Sequence, residues 1–173
     1  ESGNEAGRHD TGASFRLPRT PAERGSDGLF LYSALMFALE VETVFCAAHA
    51  IVIAGARERR HGHNFRVRVV VAGEALDPEG LLCDFHAVEG WVASIIAPFR
   101  DGDLNETPPF DRRNPTAERI AEHIGDSLAP RLPASVWVES VSVTEAPGCV
   151  ATYRPARRAK PVRAARPTKK RTR

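Results

Sequence analysis

Two stretches of the chain alternate apolar and polar positions with a period of two, which is typical of a half-buried β-strand. In the first, residues 37–49, the odd positions are apolar or small, while Glu40 and Glu42 lie between them. In the second, residues 64–72, apolar positions alternate with two arginines, and turn-forming residues follow at Gly73. The two stretches are predicted to pair side by side in a hairpin-like arrangement.

Two later stretches carry apolar residues at spacings of three and four, which predicts amphipathic helices. The first opens at Asp84 and closes before Pro98. The second begins at Asn114-Pro115, because Asn is a natural helix cap and Pro suits the first turn. The apolar positions are Phe85, Val88, Val92 and Ile95 in the first, and Ile120, Ile124 and Leu128 in the second.

The chain ends its patterned region with two more β-rich segments, residues 136–145 and 149–154, around a Pro147-Gly148 turn. The predicted order is therefore ββααββ. Strands that are segregated from helices favour the α+β class, with an antiparallel sheet and both helices on one face. No internal repeat is evident.

With 173 residues the chain is long enough for one domain, which we place at residues 29–154. Residues 1–28 are rich in Gly, Ser, Arg and Pro and are predicted to be an unstructured extension. Residues 155–173 are predicted to be a basic disordered tail. No run of 18 apolar residues is present, so we expect no membrane segment and a cytoplasmic protein.

The net charge of +2 conceals an uneven distribution. Ten of the 24 lysines and arginines lie between Arg154 and Arg173, where there is no acid, which leaves 14 bases against 22 acids in the rest of the chain. Such a tail can contact nucleic acid or another polyanion. A solvated terminus is the alternative.

A three-histidine set carries the candidate chemistry. His61 and His63 flank Gly62 at the start of a predicted strand, and residues i and i+2 of a strand share a face. His49 closes the preceding strand, so an antiparallel pairing brings its ring to the same place. Three imidazoles with an open fourth position form the catalytic arrangement for Zn²⁺. The alternative is a surface loop at residues 61–63 with His49 as a core histidine.

The chain resembles the family of 6-pyruvoyl-tetrahydropterin and 6-carboxytetrahydropterin synthases. The resemblance extends over about residues 37–154 and is specific, because five motifs fall in the family's order. They are residues 45–49 (FCAAH), 61–65 (HGHNF), 84–85 (DF), 114–121 (NPTAERIA) and 144–145 (TE).

This resemblance implies the tunnelling fold, in which subunits join their sheets into a barrel, usually as a hexamer of two trimers with active sites at subunit interfaces. It implies a small-molecule pterin substrate and Zn²⁺ held by the residues that match the family's ligands, His49, His61 and His63. It also implies that Glu145 anchors the pterin, since a carboxylate can accept two hydrogen bonds from the adjacent N–H groups of the ring edge.

Three further acidic or hydroxyl residues have two interpretations each. Thr116 and Glu118 match a motif that lies near the pterin in this family, but they also suit a helix N-terminus. Asp84 is interpreted as a helix cap in preference to a catalytic acid.

The chain departs from the common synthases at two places. They carry a catalytic cysteine shortly before the His-Gly-His motif and an Asp-His pair in a later motif, where this chain has Arg100 and Asp101. The sequence instead resembles a third type of the family, in which a glutamate replaces the cysteine, and Glu58 matches it. Asp101 is a candidate proton shuttle, although an aspartate needs a raised pKa for that role near neutrality.

Four arginines cluster around the predicted mouth of the site. They are Arg57, Arg59, Arg60 and Arg100. Their guanidinium groups can contact a substrate triphosphate through forked hydrogen bonds. A solvated basic loop is the equal alternative.

These features predict a zinc-dependent lyase that converts 7,8-dihydroneopterin triphosphate to 6-hydroxymethyl-7,8-dihydropterin, a folate precursor, by retro-aldol cleavage with Glu58 as the base. A second hypothesis is a 6-carboxytetrahydropterin or 6-pyruvoyl-tetrahydropterin synthase with an altered proton relay. A third is a non-catalytic pterin-binding or assembly subunit.

Overall fold

The structure is a computed structural model that describes residues 36–156. The predicted extension, residues 1–28, and residues 157–173 of the predicted basic tail lie outside this range, so the domain boundaries stay predictions. The described elements are β1 (Phe37–His49), β2 (Val52–Ile53), β3 (Ala56–Arg57), β4 (His61–Gly73), α1 (Phe85–Ile96), β5 (Gly102–Asp103), α2 (Ala117–Leu128), β6 (Val136–Ala146) and β7 (Cys149–Tyr153).

One five-stranded sheet, in the order β5-β1-β4-β6-β7, organises the domain. The predicted pairing of the first two long strands is confirmed, because β1 and β4 are antiparallel in a register from Phe37 opposite Gly73 to His49 opposite His61. β6 pairs antiparallel with both β4 and β7. Only the short β5 runs parallel to its neighbour, β1.

The core lies on one face of the sheet, as the alternating pattern requires. Inward positions such as Phe45 and Val67 belong to the same buried cluster as Val92 of α1 and Ile124 of α2. The opposite face carries exposed charges, including Glu40. The two helices therefore cover the apolar side of the sheet, which confirms the predicted α+β arrangement.

The predicted order ββααββ omitted three short strands. β2 and β3 form a small separate hairpin between β1 and β4. Its two-residue turn has positive φ at Ala54 (48°) and Gly55 (83°), as the favoured tight hairpin turn requires. β5 pairs only two residues with β1. Strands of two residues are too short to show an alternating pattern, which is why the sequence did not predict them.

Both helices have 12 residues, and no helix within residues 36–156 is long and apolar enough to cross a membrane. Asp84 caps α1 as predicted, since its Oδ1 accepts from the backbone N–H of His86 at 2.9 Å. Phe85, which was predicted to face the core, is instead exposed by 53 %. As the first helical residue it precedes the turn that packs on the sheet.

The predicted cap of α2 at Asn114 is wrong. Thr116 caps this helix, and its side-chain oxygen accepts from the backbone N–H of Arg119 at 3.4 Å. The Asn114 amide is engaged elsewhere, because it both accepts from the backbone N–H and donates to the carbonyl of Val52. The proline that follows Asn114 thus precedes the helix.

Candidate metal centre and substrate pocket

Three histidine side chains lie together where β1 ends and β4 begins. The register places His49 opposite His61, and His63 lies two residues further on the same face of β4. The ring centroids are 4.8 Å apart for His49 and His61, 4.8 Å for His61 and His63, and 5.2 Å for His49 and His63. Strand pairing alone therefore assembles the three-histidine set.

Two of these rings are oriented by backbone carbonyls. Nδ1 of His49 donates to the carbonyl of Pro115, and Nδ1 of His61 donates to the carbonyl of Arg59, each at 2.8 Å. Because a carbonyl oxygen only accepts, the proton of each neutral ring resides on Nδ1, and Nε2 carries a lone pair. Such a second contact is what orients a histidine that binds a metal ion.

Glu145 of β6 joins the histidines. Its Oε1 lies 3.3 Å from Nε2 of His49 and 3.2 Å from Nε2 of His63. Both nitrogens are buried without a hydrogen-bond partner among the described residues. The two unpartnered nitrogens therefore face one point beside the Glu145 carboxylate, as two ligands of one tetrahedral ion do.

The donor atoms of His49, His61, His63 and Glu145 all lie within 4.8 Å of one another. Burial lowers the pKa of His63, and the neighbouring rings of His49 and His61 lower it further, against an opposing effect of the Glu145 carboxylate. A lowered pKa keeps the imidazole neutral, which is the form that binds metal ions. The residues present therefore fit a divalent metal ion that accepts nitrogen ligands, Zn²⁺ included.

A cavity of about 450 Å³ lies beside this group. Three of the four predicted substrate-binding residues, Glu145, Thr116 and Glu118, line it, whereas Arg100 does not. The complete lining is Ile51, Ile53, Thr116, Ala117, Glu118, Glu145, Cys149, Val150 and Ala151. Glu145 thus belongs both to the histidine group and to the cavity. Thr116 serves as the helix cap and also lines the cavity, so its two interpretations are compatible.

The other predicted site residues lie apart from the histidine group. Glu58 is exposed and follows β3, and its backbone N–H donates to the carbonyl of Ile51, which lines the cavity, at 2.9 Å. Asp101 is exposed in the turn before β5, where it has a φ of 57°. Among the described residues, neither carboxylate belongs to the group of donors around the histidines.

The predicted cluster of arginines at the mouth is partly engaged in other contacts. Arg60 lies 2.7 Å from Asp103 and 3.2 Å from Glu106. Arg100 donates to the carbonyl of Val44 at 3.1 Å, on the edge of β1. These two side chains therefore brace the loop and the sheet edge, which gives each a structural role.

Two asparagines fix the loop after His49, a role that the sequence analysis predicted for neither. Asn105 accepts from the backbone N–H of Ala50 at 2.7 Å and donates to its carbonyl at 2.9 Å. Asn114 makes the same pair of contacts with Val52, at 2.8 Å and 2.9 Å. The sequence gives no signal for this role, because a side chain that hydrogen-bonds to the backbone as a neighbouring strand would leaves no spacing pattern.

Comparison with known proteins agrees with this geometry. The family model described as 6-pyruvoyl tetrahydropterin synthase matches residues 38–156. This chain belongs to that family. The match spans the sheet, both helices, the histidine group and the cavity, so membership in this synthase family applies to the whole described domain.

Relatives within the 6-pyruvoyl tetrahydropterin synthase family have more than one activity. A protein named dihydroneopterin monophosphate aldolase, from Pyrococcus furiosus, is 34% identical over 58% of this chain and 82% of its own length. A 6-carboxy-5,6,7,8-tetrahydropterin synthase from Bacillus subtilis is 33% identical over 69% of this chain and 86% of its own. The family is thus one of lyases that act on pterin side chains.

The fold is also that of the family. The structure of the 6-pyruvoyl tetrahydropterin synthase from Caenorhabditis elegans superposes with a TM-score of 0.62, at 20% identity, over 73% of this chain and all of that one. The expected tunnelling fold is therefore confirmed for the subunit.

Proposed function

We propose that this protein is a zinc-dependent lyase that shortens the side chain of a phosphorylated 7,8-dihydroneopterin to give 6-hydroxymethyl-7,8-dihydropterin. The observation that carries the proposal is the position of Glu145, which contacts the histidine group and also lines the 450 Å³ cavity. A substrate bound by this carboxylate has its side chain next to the candidate metal ligands. The similarity to a relative named as an aldolase supports this reaction class.

His49, His61 and His63 are the proposed zinc ligands. Three imidazole donors with one further position form the set that catalytic zinc sites use. When bound there, zinc supplies Lewis acidity that lowers the pKa of the hydroxyl groups on the substrate side chain. The carbonyls of Pro115 and Arg59 keep two of the rings in the binding tautomer.

Glu145 is the proposed anchor for the pterin ring. The pyrimidinone edge of a pterin offers adjacent N–H donors, and one carboxylate can accept from both. Glu145 is 23 % exposed, which leaves it accessible from the cavity. Thr116 and Glu118 line the same cavity and are proposed to contact the ring or its side chain.

Glu58 is the proposed base. Its carboxylate takes the proton of the second side-chain hydroxyl, whose carbon becomes an aldehyde while the bond to the first side-chain carbon breaks. The electron pair passes into the pterin ring until a proton returns to the first carbon, which becomes the hydroxymethyl group. The backbone contact of Glu58 with Ile51 ties the base to the cavity wall.

We also propose that the subunits join through their sheet edges, as the resemblance implies, into a hexamer of two trimers. β7 forms one edge, and on the other edge β5 covers only Ala47 and Ala48 of β1. Such unpaired edges favour addition of a strand from a neighbouring subunit. Arg100 and Asp101 lie at the β1 edge, where they can serve a site that two subunits share.

The proposal is tested with zinc-loaded protein and either the monophosphate or the triphosphate of 7,8-dihydroneopterin, with products identified by chromatography and mass. We expect a hydroxymethyl product. The variant Glu58→Gln should lose roughly 10²–10⁴-fold in turnover, the usual contribution of a general base, with unchanged pterin binding. Glu89→Gln, at an exposed position of α1, is the matched control and should retain full activity.

A second candidate is synthesis of 6-carboxytetrahydropterin, which the similarity to the Bacillus subtilis enzyme favours. It predicts a carboxylated product in the same assay and little effect of Glu58→Gln. Pterin binding without turnover would instead support the non-catalytic hypothesis and contradict both enzymatic candidates.

A further inference from the structure

A second cavity, of about 260 Å³, lies beside the loop that follows His49. Three arginines contribute to its wall, and two of them are consecutive in the sequence. The lining is Ala50, Val52, Arg57, Asn105, Phe110, Asp111, Arg112, Arg113 and Asn114. None of the arginines that line it, other than Arg57, was considered in the sequence analysis.

The charge of this cavity is unusual for the domain. The chain before Arg154 has 14 bases against 22 acids, yet three arginines line this cavity with one acidic residue. The carboxylate belongs to Asp111, lies 3.6 Å from Nε of Arg112 and offsets the positive charge of Arg112 alone. Arg57 and Arg113 form no ion pair with any residue of the described range 36–156. Two positive charges are therefore available for an anion.

This second cavity, called the basic cavity below, shares one wall with the 450 Å³ cavity that contains Glu145, called the substrate cavity. Along the extended segment after His49, Ala50 and Val52 line the basic cavity, while Ile51 and Ile53 line the cavity that contains Glu145. Val52 and Ile53 form β2, in which successive side chains point to opposite faces, and Ala50 and Ile51 line the two cavities in the same alternation. The segment is held in place by Asn105 and Asn114 through four backbone contacts.

The two cavities also meet along the chain before α2. Asn114 lines the basic cavity, and Thr116, two residues later, lines the substrate cavity. A ligand that places a planar ring against Glu145 can therefore carry a flexible charged group round the edge of the β2–β3 hairpin. Arg57, on β3 of the same hairpin, is positioned to meet that group.

We propose that the basic cavity is a phosphate-binding site, with Arg57 and Arg113 as its principal ligands, and that the phosphate is the one carried by the pterin substrate. This identification of the source rests on the proposed function, whereas the affinity for phosphate does not. Guanidinium groups bind phosphate oxygens through forked, charge-assisted hydrogen bonds, which makes arginine the fitting residue. The site selects phosphorylated dihydroneopterin over the free alcohol.

The first measurement is calorimetric titration of the full-length zinc-loaded protein with inorganic tripolyphosphate and with inorganic phosphate. Arg57→Gln and Arg113→Gln should each weaken binding roughly ten- to a hundredfold, since a hydrogen bond to a charged group contributes about 1.5–3 kcal/mol. Arg131→Gln is the matched control, because Arg131 lies outside both cavities. Unchanged phosphate affinity in Arg57→Gln and Arg113→Gln would overturn the site.

The second measurement identifies the source of the phosphate. Binding of 7,8-dihydroneopterin and of its monophosphate and triphosphate is compared in the wild type and in Arg113→Gln by fluorescence titration. The wild type should bind the phosphorylated forms more tightly, and Arg113→Gln should lose that preference while its affinity for the free alcohol stays within about twofold.

The outcomes separate this inference from the proposed function. Equal loss of affinity for all three pterins would assign Arg113 a structural role and overturn the phosphate site. Retained tripolyphosphate binding without any preference among the pterins would assign the cavity to a separate phosphate and overturn the substrate source. Because neither titration requires turnover, absence of lyase activity leaves both results interpretable.

Discussion

Oε1 of Glu145 lies 3.2 Å from Nε2 of His63, across the boundary between two antiparallel strands. The pairing of β4 with β6 sets Arg66 opposite Thr144, which brings the start of β4 alongside the end of β6. The same carboxylate lines the 450 Å³ cavity. The position of Glu145 therefore connects the candidate metal ligands with the candidate substrate, and its substitution is the most informative single change.

Glu145→Gln should raise KM for the pterin by roughly a hundredfold, because two charge-assisted hydrogen bonds of about 1.5–3 kcal/mol each become weaker. The zinc content should stay near that of the wild type, since three histidines remain. Kinetics and elemental analysis of the same preparation measure both quantities. Loss of zinc together with unchanged KM would show that Glu145 is a metal ligand and not the pterin anchor.

His61→Ala should abolish stoichiometric zinc binding while the domain still folds, because His61 is only partly buried. In the wild type, added zinc should raise Tm, as any ligand of the folded state does, and His61→Ala should lose that increase. The control is His86→Ala, whose ring is 90 % exposed beside Asp84. An equal zinc-dependent increase in His61→Ala and the wild type would exclude His61 from the metal site.

The long strands were predictable from the sequence, because burial of one sheet face requires apolar residues at alternate positions. The bounds of β1 and the pairing of His49 with His61 follow from an alternation that continues over 13 residues. The β2–β3 hairpin could not be found in this way, since its strands have two residues each. Its existence depends on the Ala54-Gly55 turn and on contacts from distant asparagines.

Individual side-chain roles were less predictable, because they depend on partners that are remote in sequence. Asn114 was predicted to cap α2, but its amide is hydrogen-bonded to the backbone of Val52, 62 positions away. Glu145 shares strand parity with Val143, and the structure places it against His63 as well as the cavity. A period-two pattern predicts which face of the sheet a side chain lies on, but it does not predict which residues that side chain contacts.

Asp101 has a φ of 57°, in the left-handed region, and its backbone N–H donates to the carbonyl of Cys46 at 2.7 Å. Asp101→Gly should stabilise the protein by up to about 1 kcal/mol, because glycine adopts this conformation without steric cost. Asp101→Asn should leave stability unchanged, since Asn tolerates the same region. If Asp101 moves a proton, both variants should reduce turnover. Urea denaturation and steady-state kinetics check the two parts.

Full turnover in both Asp101 variants would show that this residue supports the turn and moves no proton. Full turnover in Asp101→Asn alone would show that the backbone conformation matters and the carboxylate does not. Only a loss in both supports the proposed proton shuttle.

Gly125 of α2 lies against the ring of Tyr153, and a Cβ at this position would meet Cδ1 of that ring at 2.9 Å. The ring cannot retreat freely, because the Tyr153 hydroxyl donates to Asp126 at 2.8 Å. Gly125→Ala should therefore destabilise the fold by about 1–2 kcal/mol despite a gain of about 1 kcal/mol in helix propensity. Gly90→Ala in α1, with nothing within 4 Å of its Cβ, should stabilise by about that gain. Chemical denaturation of both variants measures the contrast, and equal shifts would contradict the close packing of α2 on β7.

His123 of α2 packs edge-on against the rings of Phe99 and Phe110, with centroids 5.6 Å and 5.7 Å away. Burial lowers its pKa from the ordinary 6.5, and the Arg113 guanidinium lowers it further, while Asp126 opposes both. The folded protein therefore holds this ring neutral at a pH where the unfolded chain protonates it. Stability from this group is complete above pH 6.5 and declines as the pH falls below it.

His123→Phe should remove that part of the pH dependence, because a phenyl ring takes no proton. The free energy of unfolding of the wild type should fall more steeply between about pH 7 and pH 5 than that of the variant, by at most about 1.4 kcal/mol per pH unit. Arg113→Gln should lie between the two, since it removes one of the causes that lower the pKa of His123. Urea denaturation at several pH values measures the slopes. Since the wild type and His123→Phe differ only at this residue, parallel curves for the two would show that His123 is protonated equally in the folded and unfolded states.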